Sequence, residues 1–381
     1  MRYFLLPSIS FSQLAALAAL LTFSPATRAQ KITTFDPPNS TMTIGVAINV
    51  HGQVAGYYND GSAVFPFQPQ KGFLRERNGS FTTFQPETTL NGQTFGLFTW
   101  VTDLNREGEV TGYFADLGAI TSSGFLRQRD GTMIKFKGGS TLPAAETLAT
   151  ESLATESLAS IPCDKDNPCV DGTGAFAINA RGEIVGGQGN GSRLGFLREP
   201  DGTTINFTGT SDNLLTVPQA INFFGQVTGF AQAAGPLGRQ GFLRQPNGTI
   251  IPINVPNSTN TWPQSINLFS QIAGYFSDAN GIVHGFLRQP NGKFVTFDPP
   301  GSTDTEGVSI NLHGEITGFY VTADGKSHGF VRSAMGDIDT FDAPGAGSAG
   351  TFPKGINDRG EIVGYYEDGN FVIHGFVRSK N

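Results

Sequence analysis

Aromatic and acidic side chains interrupt an otherwise regular sequence repeat at two positions, and these side chains could bind a ligand. Five residues before a recurrent Asn, the column contains both tryptophans of the chain, Trp100 and Trp262, together with Phe352 and Glu306. Two residues before the Asn, the second unit has Asp103 where the other copies have Ala, Ser or Gly. Aromatic rings beside carboxylates suit stacking on sugars and hydrogen bonding to hydroxyls. These five residues are our candidate ligand site, and packing between repeat units is the alternative for the tryptophans.

Catalysis is less well supported by the same residues. Asp103 or Glu306 could act as acid or base in a carbohydrate-active hydrolase or lyase, but a glycosidase needs two carboxylates at a defined separation, and neither residue has an evident acidic partner. Serine-hydrolase, zinc-protease, P-loop and Cys-x-x-Cys motifs are absent. The sequence therefore favours a non-enzymatic binding module without catalytic residues. A hydrolase or lyase and a structural envelope or matrix protein remain alternatives.

A segment of about residues 137–173 separates the second and third repeats and contains the two cysteines of the chain, Cys163 and Cys169. In an exported protein these two would form a disulfide that closes a short loop. Asp164, Asp166 and Asp171 are hard oxygen ligands on the same loop, so calcium is conceivable, although the spacing lacks the bidentate Glu of an EF-hand. We expect no cofactor, because a solvated acidic turn explains these residues better than a calcium site does.

The repeat itself is carried by two phrases that each occur seven times. Gly-Phe-(Leu/Val)-Arg begins at Gly72, Gly124, Gly195, Gly241, Gly285, Gly329 and Gly375. Asn-x-x-Gly-(Glu/Gln)-(Ile/Val) precedes each copy, beginning at Asn49, Asn105, Asn179, Asn222, Asn267, Asn311 and Asn357, with Ser270 as the one break in its glycine column. The last four intervals are 44 to 46 residues, the period of a four-stranded propeller blade.

The two ends of the chain predict how the repeats close. The last copy stops after its third strand at Arg378, whereas residues 32–36 read as an orphan fourth strand. Pairing these segments would remove two open sheet edges. We therefore predict an all-β fold, a seven-bladed β-propeller over residues 30–381 closed by its N- and C-terminal strands. An open solenoid is the alternative architecture.

Three residue types that recur in the repeat are predicted to be structural. The Arg of each Gly-Phe phrase shares a strand face with the Phe, so we expect its guanidinium to stack on an aromatic ring or bond to carbonyls. The recurrent Asn is expected to form a turn. Equivalent histidines on different blades would lie too far apart to share a metal ion.

The tripeptides His284-Gly-Phe286, His328-Gly-Phe330 and His374-Gly-Phe376 resemble the bacterial extracellular repeats named HAF after a His-Ala-Phe tripeptide. Gly replaces Ala in every copy, and four copies have Lys71, Ser123, Leu194 or Gln240 in place of His. The resemblance implies export and a repeat fold, and it brings no established activity.

The N-terminus and the charge indicate the compartment and the partners. Arg2, the apolar run from Phe11 to Phe23 and the small residues Ala26 and Ala29 predict a signal peptide over residues 1–29, since the run is too short to span a bilayer. We therefore expect a secreted protein, extracellular or periplasmic, without a membrane span. The net charge of -7 disfavours nucleic acid. A glycan or an extracellular protein is the expected partner of a monomer.

Overall fold

The fold was analysed in a computed structural model. It describes residues 31–61, 70–90, 93–96, 98–116, 121–137, 171–190, 194–210, 215–232 and 238–380. Within those ranges all regular secondary structure is β-strand, in thirty strands. Strand β1 is Lys31–Phe35, and the next ten strands are β2 (Met42–Ile48), β3 (Val54–Asn59), β4 (Gln70–Arg75), β5 (Phe81–Phe84), β6 (Glu87–Leu90), β7 (Gln93–Gly96), β8 (Thr99–Leu104), β9 (Val110–Asp116), β10 (Thr121–Arg127) and β11 (Met133–Phe136).

The remaining strands repeat one order of four. They are β12 (Asp171–Ile178), β13 (Ile184–Asn190), β14 (Leu194–Arg198), β15 (Thr204–Phe207), β16 (Leu215–Ile221), β17 (Val227–Gln232), β18 (Arg239–Arg244), β19 (Ile250–Ile253), β20 (Asn260–Ile266), β21 (Ile272–Ser277), β22 (Val283–Arg288), β23 (Phe294–Phe297), β24 (Ser302–Ile310), β25 (Ile316–Thr322), β26 (Ser327–Arg332), β27 (Ile338–Phe341), β28 (Ala346–Ile356), β29 (Ile362–Asp368) and β30 (Ile373–Ser379).

Consecutive strands pair antiparallel within each repeat unit, as in β24-β25-β26-β27 of the sixth unit. We call the first strand of each unit its inner strand; the inner strands are β2, β8, β12, β16, β20, β24 and β28. We call the fourth strand of each unit its outer strand; the outer strands are β5, β11, β15, β19, β23, β27 and, for the seventh unit, β1. The hairpin of β6 and β7 lies between the first and second units. Single parallel residue pairs, such as Ser327 with Gly350, connect some neighbouring units.

The two ends of the chain pair with each other. β1 pairs antiparallel with β30, from Lys31 opposite Ser379 to Phe35 opposite Gly375. The Phe35 side chain is buried, and its ring meets Phe73 of the first unit edge-on at 5.9 Å. The predicted N-terminal strand therefore supplies the fourth strand of the seventh unit and also packs against the first.

Phenylalanine fills the core of every unit. The Phe of each Gly-Phe phrase is fully buried, and in six of the seven units the neighbouring glycine makes room for the ring of a second Phe. A Cβ atom on Gly72, for example, would lie 2.3 Å from the ring of Phe84 on the outer strand. The small residue is therefore required by the close packing of rings between strands.

The repeated arginines connect neighbouring units, which confirms their predicted structural role. In six of the seven, the guanidinium lies 4.5–5.3 Å from the ring of a Phe on the outer strand of the preceding unit. The exception is Arg288, because the preceding outer strand ends in Ile253 and offers no ring. Burial lowers the pKa of each of these arginines, as Arg75 illustrates.

The repeated asparagines form a chain of hydrogen bonds between units. The side-chain Nδ2 of each Asn donates to the backbone carbonyl of the corresponding Asn in the following unit at 2.9–3.2 Å. The seventh of these bonds, from Asn357, returns to Asn49. The Oδ1 atom accepts backbone N–H bonds two and four residues ahead, so the predicted turn role is confirmed. The bond between units was not predicted.

The histidines of the repeat pair with aspartates. Nδ1 of His284, His328 and His374 lies 2.8–3.0 Å from a carboxylate oxygen of Asp298, Asp342 and Asp36, respectively. In the first unit Lys71 replaces His and bonds to Asp60. Across the described ranges no three His, Cys, Asp or Glu side chains converge as a metal site.

Candidate functional site

A cavity of about 570 Å³ lies between the inner strands, and all seven of these strands contribute to its wall. A smaller depression of about 220 Å³ lies at the far end of the same strands and is lined by five of the recurrent asparagines, Asn49, Asn222, Asn267, Asn311 and Asn357. The larger cavity is therefore the space around which the repeat units are arranged.

A β-bulge in every inner strand determines which side chains reach this cavity. The strand register shifts three residues before the recurrent Asn, for example between Pro263 and Ser265 in the fifth unit. The residue inside the bulge has no paired residue on the neighbouring strand, and a bulge changes the direction in which such a side chain points. The bulge residues all line the cavity and are Val46, Thr102, Phe176, Gln219, Gln264, Val308 and Lys354.

This column was missed by the sequence analysis, which selected the positions two and five residues before the Asn. The sequence does contain a signal for this column, because it mixes aliphatic, aromatic, amide and cationic side chains whereas the columns on either side are more uniform. A bulge depends on the pairing of two strands, so the sequence of one strand does not reveal it.

The candidate aromatic residues form stacked pairs across the first two strands of their units. Trp100 stacks on Tyr113 at 5.2 Å and Trp262 on Tyr275 at 5.1 Å, measured between ring centroids. Phe352 stacks on Tyr365 at 5.0 Å. Trp100 lines the cavity, as do its partner Tyr113 and Tyr365.

The remaining candidates differ from Trp100 in their position relative to the cavity. Trp262, Glu306 and Phe352 are not among the residues that line the cavity. Trp262 packs against the same buried cluster as Trp100, which contains Val217 and Phe230, and its Nε1 atom is buried without a hydrogen-bond partner. The two tryptophans therefore occupy equivalent strand positions, and of the two Trp100 borders the cavity.

The third unit has no aromatic pair at this level. Gly174 and Gly187 stand opposite each other where the second unit has Trp100 and Tyr113. The ring of the bulge residue Phe176 occupies the space, since a Cβ atom on Gly174 would lie 2.7 Å from it. Phe176 therefore supplies the ring that borders the cavity in the third unit.

A cation, a phenol and a carboxylate lie together in the sector of the sixth and seventh units. Lys354 Nζ is 5.5 Å from the centroid of the Tyr365 ring. Burial, and next the negative charge of Glu306, raise the pKa of Tyr365 above its usual range. This sector of the wall is polar and charged, whereas the Trp100 sector is aromatic.

Asp103 lines the cavity, but both of its oxygens are used within the fold. Oδ1 accepts the backbone N–H of Leu104 at 2.8 Å, and Oδ2 accepts that of Ile178 in the third unit at 2.9 Å. Burial raises its pKa to about 6, although these two bonds act in the opposite direction. The Ser309 hydroxyl makes the same bond between units, to Ile356, so Asp103 serves the packing of the second and third units.

Replacing Asp103 by Ser should change how stability depends on pH. Because the pKa of Asp103 is raised from 3.8 to about 6, protonation of this carboxyl stabilises the folded state. This contribution is fully present below pH 4 and is lost as the pH rises through 6. Relative to the parent, Asp103→Ser should therefore gain about 2–3 kcal/mol of unfolding free energy between pH 4 and pH 8, since each pKa unit corresponds to about 1.4 kcal/mol. Urea unfolding at a series of pH values measures this difference.

The exposed Asp130 supplies the control. Hydrogen bonds from Thr132 lower the pKa of Asp130 below 3.8, so relative to the parent Asp130→Ser should lose stability as the pH rises from this lowered pKa to about 4 and should change little between pH 4 and pH 8. Parallel pH profiles for the parent and Asp103→Ser would contradict a raised pKa of the buried Asp103 carboxyl.

Several predicted features cannot be located. Cys163, Cys169, Asp164 and Asp166 lie outside the described residues, and so do residues 1–30. Asp171 is the first residue of β12, and the insertion predicted to end near residue 173 therefore overlaps this strand by three residues. No helix in the described part of the chain is long and apolar enough to cross a membrane.

Comparison with known proteins identifies the fold and leaves the family open. No family model and no curated protein matches the sequence. Virginiamycin B lyase from Staphylococcus aureus is similar in structure, with a TM-score of 0.55 and 14% identity over 92% of this chain and 100% of that chain. A streptogramin B lyase structure gives a TM-score of 0.54 and 13% identity over 92% and 98% of the two chains. An acylaminoacyl peptidase from Pyrococcus horikoshii gives a TM-score of 0.53 at 8% identity, over 91% of this chain and 53% of the peptidase. At such identities the likeness shows the fold alone, and the chain is an all-β repeat protein of the β-propeller type.

Proposed function

We propose that this chain is an exported, seven-bladed β-propeller that binds a glycan in its central cavity without catalysing a reaction. The observation that carries the proposal is the column of bulge residues. The strands, turns, arginines and asparagines repeat from unit to unit, whereas the seven side chains aimed into the cavity differ. A scaffold that varies mainly where a ligand would lie is typical of a binding site on a rigid frame.

Ring closure is supported by three contacts between the seventh and first units. β1 pairs with β30, the guanidinium of Arg75 lies 5.1 Å from the Phe35 ring, and the Asn357 side chain bonds to the carbonyl of Asn49. The seven asparagine bonds, each of which joins one unit to the next, support an arrangement of seven blades. The predicted signal peptide supports export.

A glycan suits the chemistry of the cavity wall. The partly exposed rings of Trp100 and Tyr57 border the cavity and can contact sugar rings, and the amides of Gln219 and Gln264 can bond to hydroxyls. The volume of about 570 Å³ lies within the range of small-molecule sites.

The alternative of a hydrolase or lyase is weaker. Both oxygens of Asp103 accept backbone N–H bonds, so this carboxylate is poorly placed to take a proton from a substrate. Two of the structural neighbours are lyases by name, but their low identity transfers only the scaffold.

Trp100→Ala tests the proposal, with Trp262→Ala as the matched control in the same repeat column. Both changes remove a half-buried ring stacked on Tyr, so both should lower stability by a similar amount, about 2–4 kcal/mol. Only Trp100 lines the cavity, so Trp100→Ala should weaken glycan binding at least tenfold while Trp262→Ala retains it. A glycan array followed by calorimetry on the best ligand measures binding.

Two results would contradict the proposal. If the folded parent bound no glycan on the array, the ligand class would be wrong. If the two variants lost binding equally, the loss would reflect stability and not contact with the ligand.

A further inference from the structure

One column of the repeat is aliphatic in all seven inner strands. The residue directly before each recurrent Asn is Ile in six units and Leu in the second. Each of these side chains is only 4–9% exposed. We call the seven residues the aliphatic belt, and its members are Ile48, Leu104, Ile178, Ile221, Ile266, Ile310 and Ile356. The inner strands therefore carry a level that is apolar and shielded from water in every unit.

The aliphatic belt lies between the cavity and the smaller depression at the asparagine end. Of the residues that the structure describes, four line both spaces, and all four belong to the belt. These four are Ile48, Leu104, Ile266 and Ile356. Ile221 lines only the cavity, and Ile310 lines only the depression. The belt is therefore the boundary between the two spaces.

Two sets of contacts hold the aliphatic belt in place. Each member is paired with a fully buried aliphatic residue on the second strand of its unit, as Ile310 is with Ile316. The residue that follows each member is the recurrent Asn, whose side chain bonds to the next unit at 2.9–3.2 Å. The inner strands would have to break these bonds to move apart at this level. The belt is therefore a fixed wall and not a gate.

The opposite end of the cavity is formed by side chains that water reaches. Ile44 and Trp100, five residues before the recurrent Asn, are partly exposed, and so are Tyr57 and Tyr365 on the second strands. The members of the aliphatic belt, at the other end of the same cavity, are all buried. A ligand therefore enters the cavity from the Trp100 end and meets the belt at its inner end.

We infer that the cavity binds the end of a glycan chain and not a segment from the interior of the chain. The inference rests on the proposed function and specifies which part of a glycan is recognised. A chain that passed through the aliphatic belt would bring its hydroxyls out of water beside side chains that offer no hydrogen bond, which is unfavourable.

An internal segment that remained on the Trp100 side of the belt is disfavoured by the size of the cavity. Such a segment would have to enter and leave through the same end, so the chain would fold back on itself inside the cavity. The volume of about 570 Å³ is that of a site for one small molecule. The terminal sugars of a chain fit this volume without folding back.

The binding stoichiometry over a series of chain lengths tests the inference. The probe is the linear oligosaccharide with the strongest signal on the glycan array, prepared with about four, eight and sixteen sugar units so that internal sites would make the longer chains multivalent. Calorimetry should give one protein per chain at every length, because the two ends of a glycan differ chemically and the cavity recognises one of them. The dissociation constant per chain should differ by less than about twofold between the two longer probes.

Val50→Phe supplies the matched variant on the other side of the aliphatic belt. Val50 lines the depression, and Phe is the residue that the fourth unit has in this column, at Phe223. This change should leave the thermal midpoint unchanged and the dissociation constant within about twofold of the parent, because the ligand does not reach the depression. Trp100→Ala, on the cavity side, should weaken binding of every probe at least tenfold.

The possible results separate a failure of this inference from a failure of the proposed function. If longer probes bound proportionally more protein, or if Val50→Phe weakened binding as strongly as Trp100→Ala at an unchanged thermal midpoint, chain-end binding would be wrong while glycan binding would stand. If the folded parent bound no glycan on the array, the proposed function would be wrong, and this inference would fall with it.

Discussion

Deletion of residues 30–38 should be the most destabilising small change to this protein. It removes β1 and leaves β30 and the rings of the first unit exposed to water. Truncation of Phe35 to Ala alone should cost about 3–5 kcal/mol, since the ring is buried against Phe73 and Phe81. The whole deletion should cost more, because it also removes a full row of ladder hydrogen bonds and the pairing of Asp36 with His374. Thermal unfolding followed by circular dichroism measures the effect.

A circular permutant tests whether the stability depends on the presence of β1 or on its position at the start of the chain. Residues 39–381 followed by residues 30–38 would carry β1 as an ordinary hairpin after β30, as in the other units. This permutant should unfold near the parental midpoint. A deletion variant as stable as the parent would show that β1 does not hold the seventh and first units together.

Asn357→Ala should be the most destabilising single polar substitution among the repeat columns. The side chain donates to the carbonyl of Asn49 and to Glu361, and it accepts the N–H groups of Arg359 and Glu361. Each buried group left without a partner costs about 1–3 kcal/mol, so the total loss should be about 3–5 kcal/mol. Asn357→Asp should lose a similar amount, because a carboxylate cannot donate and would meet Glu361. Urea unfolding gives both values.

Asn291→Ala is the control for this prediction. Asn291 is exposed on the turn between β22 and β23. Its side chain accepts one hydrogen bond within its own unit, from the Lys293 N–H at 3.0 Å. Its loss should cost about 1 kcal/mol or less. Equal losses for Asn357→Ala and Asn291→Ala would mean that the bonds between units contribute little.

The elements that the sequence predicts well are those with a signal inside one repeat. Short runs of β-branched and aromatic residues between Asn and Gly turns specify the strands, and seven copies of each phrase specify the number of units. The orphan strand at residues 32–36 was recognisable because the last copy lacks its equivalent. The stacking of Arg on Phe followed from the shared strand face.

The features that escaped prediction depend on contacts between strands or units. The bulge that turns Gln219 and Lys354 toward the cavity arises from pairing with the second strand of each unit. The bond from one Asn to the next requires the two units to be in place. Asp103 was recognised as exceptional, but its hydrogen bond to Ile178 was not predictable from the sequence. Nor was it predictable that, of the two tryptophans in one column, Trp100 borders the cavity and Trp262 does not.

The bulges also have a consequence for how such a protein can diversify. Because each bulge residue lies outside the ladder, its side chain can change without altering a hydrogen bond of the sheet, as the exchange of Val, Thr, Phe, Gln and Lys among the units illustrates. The cavity thus offers seven positions at which a change of side chain leaves the ladder hydrogen bonds in place, although Thr102 also bonds to two backbone carbonyls and Phe176 belongs to the buried core. Gene duplication of one unit would supply the frame, and drift at a single codon per unit would supply new specificities. The same seven codons are the natural targets for a combinatorial library built on this scaffold.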